Sequence, residues 1–197
     1  MIRDRVLGSS AGYSTFRRAI KADRSMGIIV DDYIRPVGGH RVLDVGCGNA
    51  DLADLLPSEV FYLGLDNNPG YIASAKARGV NVIEAHVSEL GGLGYESFDS
   101  IVLVGVLHHL DDDTVKLLMR DMSAVLSPGG CVVSVDPVNH PGQGMISRSI
   151  MAMDRGKYIR RESDYRSLIA SSFDDLDVVM RYDLNPFPYA HCIVRAH

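Results

Sequence analysis

The segment RVLDVGCGNADLADLL, Arg41 to Leu56, holds three acids and two glycines within sixteen residues. An apolar, β-branched run ends near Asp44, and Gly46 and Gly48 flank Cys47 before a helical pattern begins. Glycines in that place let the backbone turn sharply and approach a ligand closely. A dinucleotide-binding turn carries a third glycine three residues after the second. Here that position is Asp51, a carboxylate that would repel a pyrophosphate, and Asp44 contributes charge of the same sign. The turn therefore suits a ligand with a positive end. The next strand-like run closes with LGLDNNP, which puts Asp66 about twenty residues past the first glycine, where an acid accepts hydrogen bonds from a ribose diol. A nucleoside with a cationic, phosphate-free arm meets both conditions, and S-adenosylmethionine is that molecule.

The elements that must position these residues are read from hydrophobic periodicity. Apolar runs at 41–45, 60–66, 80–85, 99–105 and 131–136 predict strands buried on both faces. Two more runs, 176–182 and 190–196, are joined by DLNPFP, too short for a crossover helix, and predict an antiparallel hairpin. Helices are expected over 50–56, over 69–78, from Asp112 or Asp113 to the SPGG at 127–130, and from a cap at Ser163. The alternation predicts an α/β fold: one Rossmann-like domain with a seven-stranded, mostly parallel sheet and helices on both faces. Residues 1–39 are read as a helical segment over the site, 40–136 as the cofactor-binding core, 137–162 as an acceptor-side insertion, and 163–197 as the final helix and hairpin.

Composition bounds the function. The 197 residues are 46% hydrophobic and 23% charged, with a formal net charge of −5, an ordinary globular balance. That charge disfavours a general nucleic-acid or anionic-membrane binder. Cys47, Cys131 and Cys192 are far apart and lack a CxxC spacing, so neither a disulfide framework nor a zinc site is expected, and a cytoplasmic location is. The first residues lack an uninterrupted apolar core, so no signal peptide is expected. No window of about 18 apolar residues predicts a membrane span.

Four ordered motifs, VLDVGCGNA, LGLDNNPGYI, FDSIVLVGVLHHL and VLSPGGCVVSVDP, resemble the class I S-adenosylmethionine-dependent methyltransferase family. The resemblance covers residues 41 to 137, and the terminal hairpin extends it. It implies that Gly46, Cys47 and Gly48 wrap the methionine and ribose by backbone contact and that Asp44 fixes the amino group. It further implies that Asp66 holds the ribose hydroxyls, that Asn67 lies beside adenosine, and that Val104 and Gly105 contact the methionine moiety. Where the family often has an acid for the adenine amine, this chain has His86, whose acceptor nitrogen would serve with the backbone of Val87. Tyr13 and Phe16 are candidates to line the pocket from the N-terminal side. Ala50 replaces a third family glycine and is small enough to leave the approach open.

The expected reaction is in-line methyl transfer to a small molecule, with a sugar or natural-product hydroxyl as the preferred acceptor and no nucleic acid or membrane partner. His109 and His140 are the candidate general bases. The adjacent His108 and His109 point in different directions and lack an evident third ligand, so no metal is expected. Arg148, Arg155, Lys157, Arg160 and Arg161 form a basic stretch, read as a solvated face or as recognition of an anionic acceptor. Two other readings stand beside this one: a non-catalytic module on the same fold, and an NAD-dependent oxidoreductase on a similar sheet. Monomer and homodimer are equally compatible with the sequence.

Overall fold

The computed structural model describes residues 22–94, 97–154, 156–185 and 189–197. At the centre lies β1 (Arg41–Val45), whose last four residues are buried. β2 (Phe61–Asp66) and β4 (Phe98–Val104) flank it in parallel, β3 (Val82–Glu84) lies beyond β2, and β5 (Leu126–Pro137) pairs in parallel with β4. β7 (His191–Ala196) runs antiparallel between β5 and β6 (Leu176–Arg181), giving the order β3-β2-β1-β4-β5-β7-β6. The chain steps outward from β1 to β3, then returns to the other side of β1 as β4. That reversal opens a crevice at the carboxyl ends of β1 and β4, where sheets of this kind bind ligands.

Successive strand residues face opposite sides, and each side has its own core. Leu43, Leu63 and Leu103 pack with Val115, Leu118, Met119 and Met122 of α3 (Asp112–Val125) and with Tyr165 and Ile169 of α5 (Glu162–Ile169). Val42, Val102 and Val133 pack on the other side with Ile72 of α2 (Pro69–Ala77) and with Ile29, Val30 and Ile34. The last three belong to a π-type turn, Ile29–Ile34, that continues α1 (Ala22–Ile28). Of the helical segment expected to cover the site, residues 1–21, with Tyr13 and Phe16, lie outside the described residues. No helix among the described residues is long and apolar enough to cross a membrane.

Several element ends differ from expectation. The helix expected over 50–56 is a single 3-10 turn, Asp51–Leu55. Ala50 enters it in the left-handed region at φ 57°, and Leu56 is extended, as a residue before proline prefers. No array of helical N–H groups therefore faces the glycine turn. The cap of α3 is Asp111, whose carboxylate accepts from the N–H of Thr114 at 2.8 Å, leaving Asp112 and Asp113 in the first turn. Ser163 sits inside α5, which begins after Arg161, and α3 passes directly into β5 at Leu126.

The segment 137–162 carries α4 (Met145–Ala152) and is tied back at its far end. Asn139 donates its side-chain amide to the carbonyl of Ile159 at 2.7 Å, and Arg160 is only 8% exposed. The Arg160 guanidinium donates to the carbonyls of Leu107 and Leu110 at 2.7 and 2.6 Å and to the Asp112 carboxylate at 2.7 Å. Arg160 is thus neither solvated nor available to an anionic acceptor; it fixes the 3-10 turn Leu107–His109 that follows β4. Replacing Arg160 with Met removes the guanidinium donor from the Leu110 carbonyl and leaves the Leu107 carbonyl to the N–H of Leu110 at 3.2 Å, and we expect a stability loss of about 2–4 kcal/mol in urea unfolding. A loss below about 0.5 kcal/mol would show that other donors reach those carbonyls.

Candidate active site

The glycine turn is anchored to the end of β2. Gly46 and Cys47 donate their N–H groups to the carbonyl of Leu65 at 2.7 and 3.0 Å. Gly48 donates to Oδ2 of Asp66 at 2.9 Å, and Asn68 donates to Oδ1 at 2.8 Å. Gly46 and Gly48 hold φ of 74° and 57°, and a Cβ on Gly46 would lie 2.6 Å from Cγ2 of Val106. Glycine is therefore required at position 46 both by conformation and by space. Each oxygen of Asp66 has one backbone donor and retains lone-pair capacity for another, the arrangement a vicinal diol needs.

The turn also carries a negative bias. Asp44 is 5% exposed and accepts from the Tyr62 hydroxyl at 2.8 Å. The Cys47 thiol is pushed well above its usual range, first by burial and then by the charges of Asp44 and Asp66. Burial opposes either charge, but the carboxylate charges of Asp44 and Asp66 that oppose a thiolate favour a cation in the same place. Asn49, buried in the turn, has an Oδ1 with no hydrogen-bond partner among the described residues, an acceptor that a bound ammonium or hydroxyl could satisfy. These features fit an adenosyl sulfonium. Asp51, expected to repel a pyrophosphate, pairs instead with Arg78 at 3.2 Å, which offsets its charge and leaves that selection mainly to Asp44 and Asp66.

At the adenine side, Asn67 is exposed and Val87 is buried at the start of a 3-10 turn, Val87–Gly92. His86 caps that turn, its Nδ1 accepting from the N–H of Ser88 at 3.3 Å. Val104 ends β4, and Gly105 follows at φ 70° with its N–H on the carbonyl of Val135 at 2.8 Å.

Beyond Gly105 the structure assembles a polar cluster. His108 is 5% exposed; its Nδ1 lies 2.7 Å from Oδ1 of Asp136, at the end of β5, and its Nε2 lies 3.3 Å from Oδ1 of Asp154. Burial opposes charge on His108, but hydrogen bonds to Asp136 and Asp154 outweigh it and raise its pKa to about 9. Tyr189 donates to Oδ2 of Asp154 at 2.8 Å, and the backbone of Gly156 packs against the ring so closely that a Cβ there would lie 2.0 Å from Cδ2. His109 is exposed, its ring centroid 4.0 Å from that of His108. His140 instead lies edge-on to Tyr182, 5.5 Å between centroids, with Nδ1 near the Pro141 carbonyl. The two expected bases therefore occupy different surroundings, His109 in the cluster and His140 against the β6 end. Sequence reading assigned no role to Asp136 or Asp154. Asp136 had a signal, a strand-end acid beside β4; Asp154 arrives from the insertion and had none.

These features complete a class I crevice: reversed strand order, a glycine turn on β1, a ribose-type acid on β2 and a polar cluster past β4. Residues 42–130 match the family described as Methyltransferase domain. A ubiquinone biosynthesis O-methyltransferase of Azorhizobium caulinodans is 30% identical over 107 residues, 51% of this chain and 41% of that protein. A tRNA (carboxymethyluridine(34)-5-O)-methyltransferase of Arabidopsis thaliana is 34% identical over 98 residues, 48% of this chain and 23% of that protein. The chain thus spans less than half the length of these relatives. A solved S-adenosylmethionine-dependent methyltransferase from Archaeoglobus fulgidus superimposes with a TM-score of 0.73 at 17% identity, covering 94% of this chain and 99% of that one. The match over residues 42–130, the methyltransferase relatives and the shared fold support a class I S-adenosylmethionine-dependent methyltransferase. The cofactor of that family is S-adenosylmethionine.

Two outcomes follow for this site. Asp66→Ala should weaken S-adenosylhomocysteine binding by about 1–3 kcal/mol in calorimetric titration, the order of lost charge-assisted hydrogen bonds, and unchanged affinity would remove the ribose assignment. His191, behind the cluster, has its pKa lowered from 6.5 to about 4, first by burial and then by the charge of His108. The unfolded chain then binds this proton before the folded one, so the associated stability is complete above pH 6.5 and is lost as pH falls towards 4. His191→Phe should remove about 2–3 kcal/mol of that acid sensitivity in urea unfolding across the window. Parallel pH profiles for the two proteins would contradict it.

Proposed function

We propose that this chain methylates an oxygen of a small molecule, with S-adenosylmethionine as donor. The observation that carries the reading is the Asp66 carboxylate, held by Gly48 and Asn68 with spare acceptor capacity, beside a turn biased against anions. When bound, the sulfonium supplies an already activated methyl group, so the protein need not form a covalent intermediate. Asp66 would hold the ribose. Asp44 and the turn Gly46–Gly48 would hold the methionine end, and Val104 and Gly105 would border the methyl-bearing side. The protein's remaining work is alignment of the acceptor with water excluded, which in favourable cases is worth about 7–11 kcal/mol.

A small acceptor is supported by the net charge of −5 and by the withdrawal of Arg160 from the basic stretch into the interior. Oxygen as the acceptor atom is supported by the O-methyltransferase among the relatives. His109 and His140 are the candidate groups to take the acceptor's proton, His109 being the one on the turn that follows β4. The free thiols of Cys47, Cys131 and Cys192 suit a reducing cytoplasm. A tRNA acceptor is the second reading, favoured by the tRNA methyltransferase among the relatives.

Incubating the protein with methyl-labelled S-adenosylmethionine against small hydroxyl compounds and against total tRNA separates these readings. Label transfer to a hydroxyl compound is the expected result, and transfer to tRNA alone would overturn the small-molecule assignment. Cofactor binding with no transfer to either class would favour a non-catalytic module, and an NADH response without S-adenosylhomocysteine binding would point to an oxidoreductase. With an accepted substrate, His109→Ala and His140→Ala should retain near-normal S-adenosylhomocysteine affinity, and whichever residue is the base should lower turnover about 100-fold or more.

A further inference from the structure

Tyr62 sets a phenol into an otherwise apolar layer. It lies on β2, 9% exposed, in the core shared with Ile29, Val30, Ile72 and Val82. Its hydroxyl donates to Oδ2 of Asp44 at 2.8 Å and is hydrogen-bonded to the Cys47 thiol as well. Strand register explains the reach. Val42 pairs with Tyr62, and Asp44 pairs with Gly64. Residues two apart on a strand share a face, so Tyr62 and Gly64 stand on one side of β2, and the phenol meets Asp44 diagonally over the space Gly64 leaves. A Cβ on Gly64 would lie 2.9 Å from the Tyr62 hydroxyl and 2.7 Å from Sγ of Cys47. Gly64 is not in the left-handed region, so glycine is required there by space alone.

A phenylalanine would fill this volume with no polar atom to satisfy, so packing does not account for the hydroxyl. Its chemistry does. Burial and then the charge of Asp44 hold the Tyr62 phenol well above its ordinary range, which keeps it a neutral donor. With that one proton on Asp44, the phenol oxygen accepts from the Cys47 thiol, which also contacts the Gly48 carbonyl at 3.6 Å. The three side chains thus tie the end of β1, the glycine turn and β2 together. A lysine or arginine in place of Tyr62 would orient the Asp44 carboxylate but offset its charge. A phenol orients it and leaves the charge to act on a cation. A carboxylate has about four acceptor positions, so one bond from Tyr62 sets its direction without exhausting it.

We propose that Tyr62 is a positioning residue for the amino-acid end of the cofactor: its hydroxyl, seated over Gly64, fixes the Asp44 carboxylate in the orientation that receives the methionine ammonium. This role rests on the methyl-transfer reading, in which Asp44 holds the methionine end. It divides the cofactor site by function. Asp66, tied to backbone N–H groups of Gly48 and Asn68, serves the ribose, whereas Asp44, tied to a side chain, serves the amino acid. Removing the Tyr62 hydroxyl therefore affects ligands that carry the amino-acid arm and spares the bare nucleoside.

Two probes separate positioning from simple support of the fold: S-adenosylhomocysteine, which carries the amino-acid arm, and 5′-methylthioadenosine, the same nucleoside thioether without it. In isothermal titration of the full chain, Tyr62→Phe should weaken S-adenosylhomocysteine about 10-fold or more and leave 5′-methylthioadenosine within about twofold of wild type. Asp44→Asn, which keeps the shape of the side chain but removes its charge, should show the same selective loss. Unchanged S-adenosylhomocysteine affinity in Tyr62→Phe, or an equal loss for both ligands, would overturn the positioning role. So would a selective loss in Asp44→Asn that Tyr62→Phe does not share. The wild-type titration keeps this inference apart from the reading beneath it: a wild type that binds neither ligand would overturn the methyltransferase proposal itself, whereas normal wild-type binding with an indifferent Tyr62→Phe overturns the role of Tyr62 alone.

Discussion

Three consecutive N–H groups of the glycine turn, those of Gly46, Cys47 and Gly48, end on two residues at the close of β2, Leu65 and Asp66. Everything at the cofactor side depends on this attachment. It converts the register between β1 and β2, in which Val45 pairs with Leu65, into the position of a turn that carries no helix behind it. It also explains why Asp66 can be both scaffold and ligand. A carboxylate oxygen accepts more than one hydrogen bond, so tying the turn leaves capacity towards the crevice.

Negative charge is distributed over both halves of the crevice but put to different ends. Around the turn, Asp44 and Asp66 bias the surroundings of Cys47 against an anion, and the bias is useful because the expected ligand is a sulfonium. Past β4, Asp136 and Asp154 close on one imidazole and place positive charge in a largely buried spot. The first arrangement selects what binds; the second joins the β5 end, the turn after β4 and the insertion into one unit. Arg160 strengthens that union by taking the carbonyls on either side of the two histidines.

How far the sequence could be read followed from range. The strands were legible because burial on both faces demands continuous apolar runs, and Gly46, Gly48 and Asp66 because their roles are fixed by distance from a strand end. The terminal hairpin was legible because its connection leaves no room for a crossover. The helix after the turn was overestimated, since periodicity did not register that Ala50 enters left-handed and that Pro57 stops the segment. Among three consecutive aspartates, composition could not choose the cap of α3; backbone conformation chose Asp111. Arg160 looked like one more surface cation, and His108 had no visible carboxylate partners. Those partners lie 28 and 46 residues further along the chain, in Asp136 and Asp154, so only the fold brings them together.

The contact between Gly46 and Val106 has a mechanical meaning. Space for a single methyl group is lacking between the turn after β1 and the turn after β4, so the floor of the crevice is a closed seam. The N–H bonds of Gly46, Cys47 and Gly48 hold the first of these rims to β2. Under the proposed function, adjustment to differently sized acceptors would fall to the insertion, where α4 exposes Met145 and Ile146. On that proposal, variation in the acceptor would accumulate in the insertion while the seam stays fixed, a division between a rigid bed and an adaptable cover.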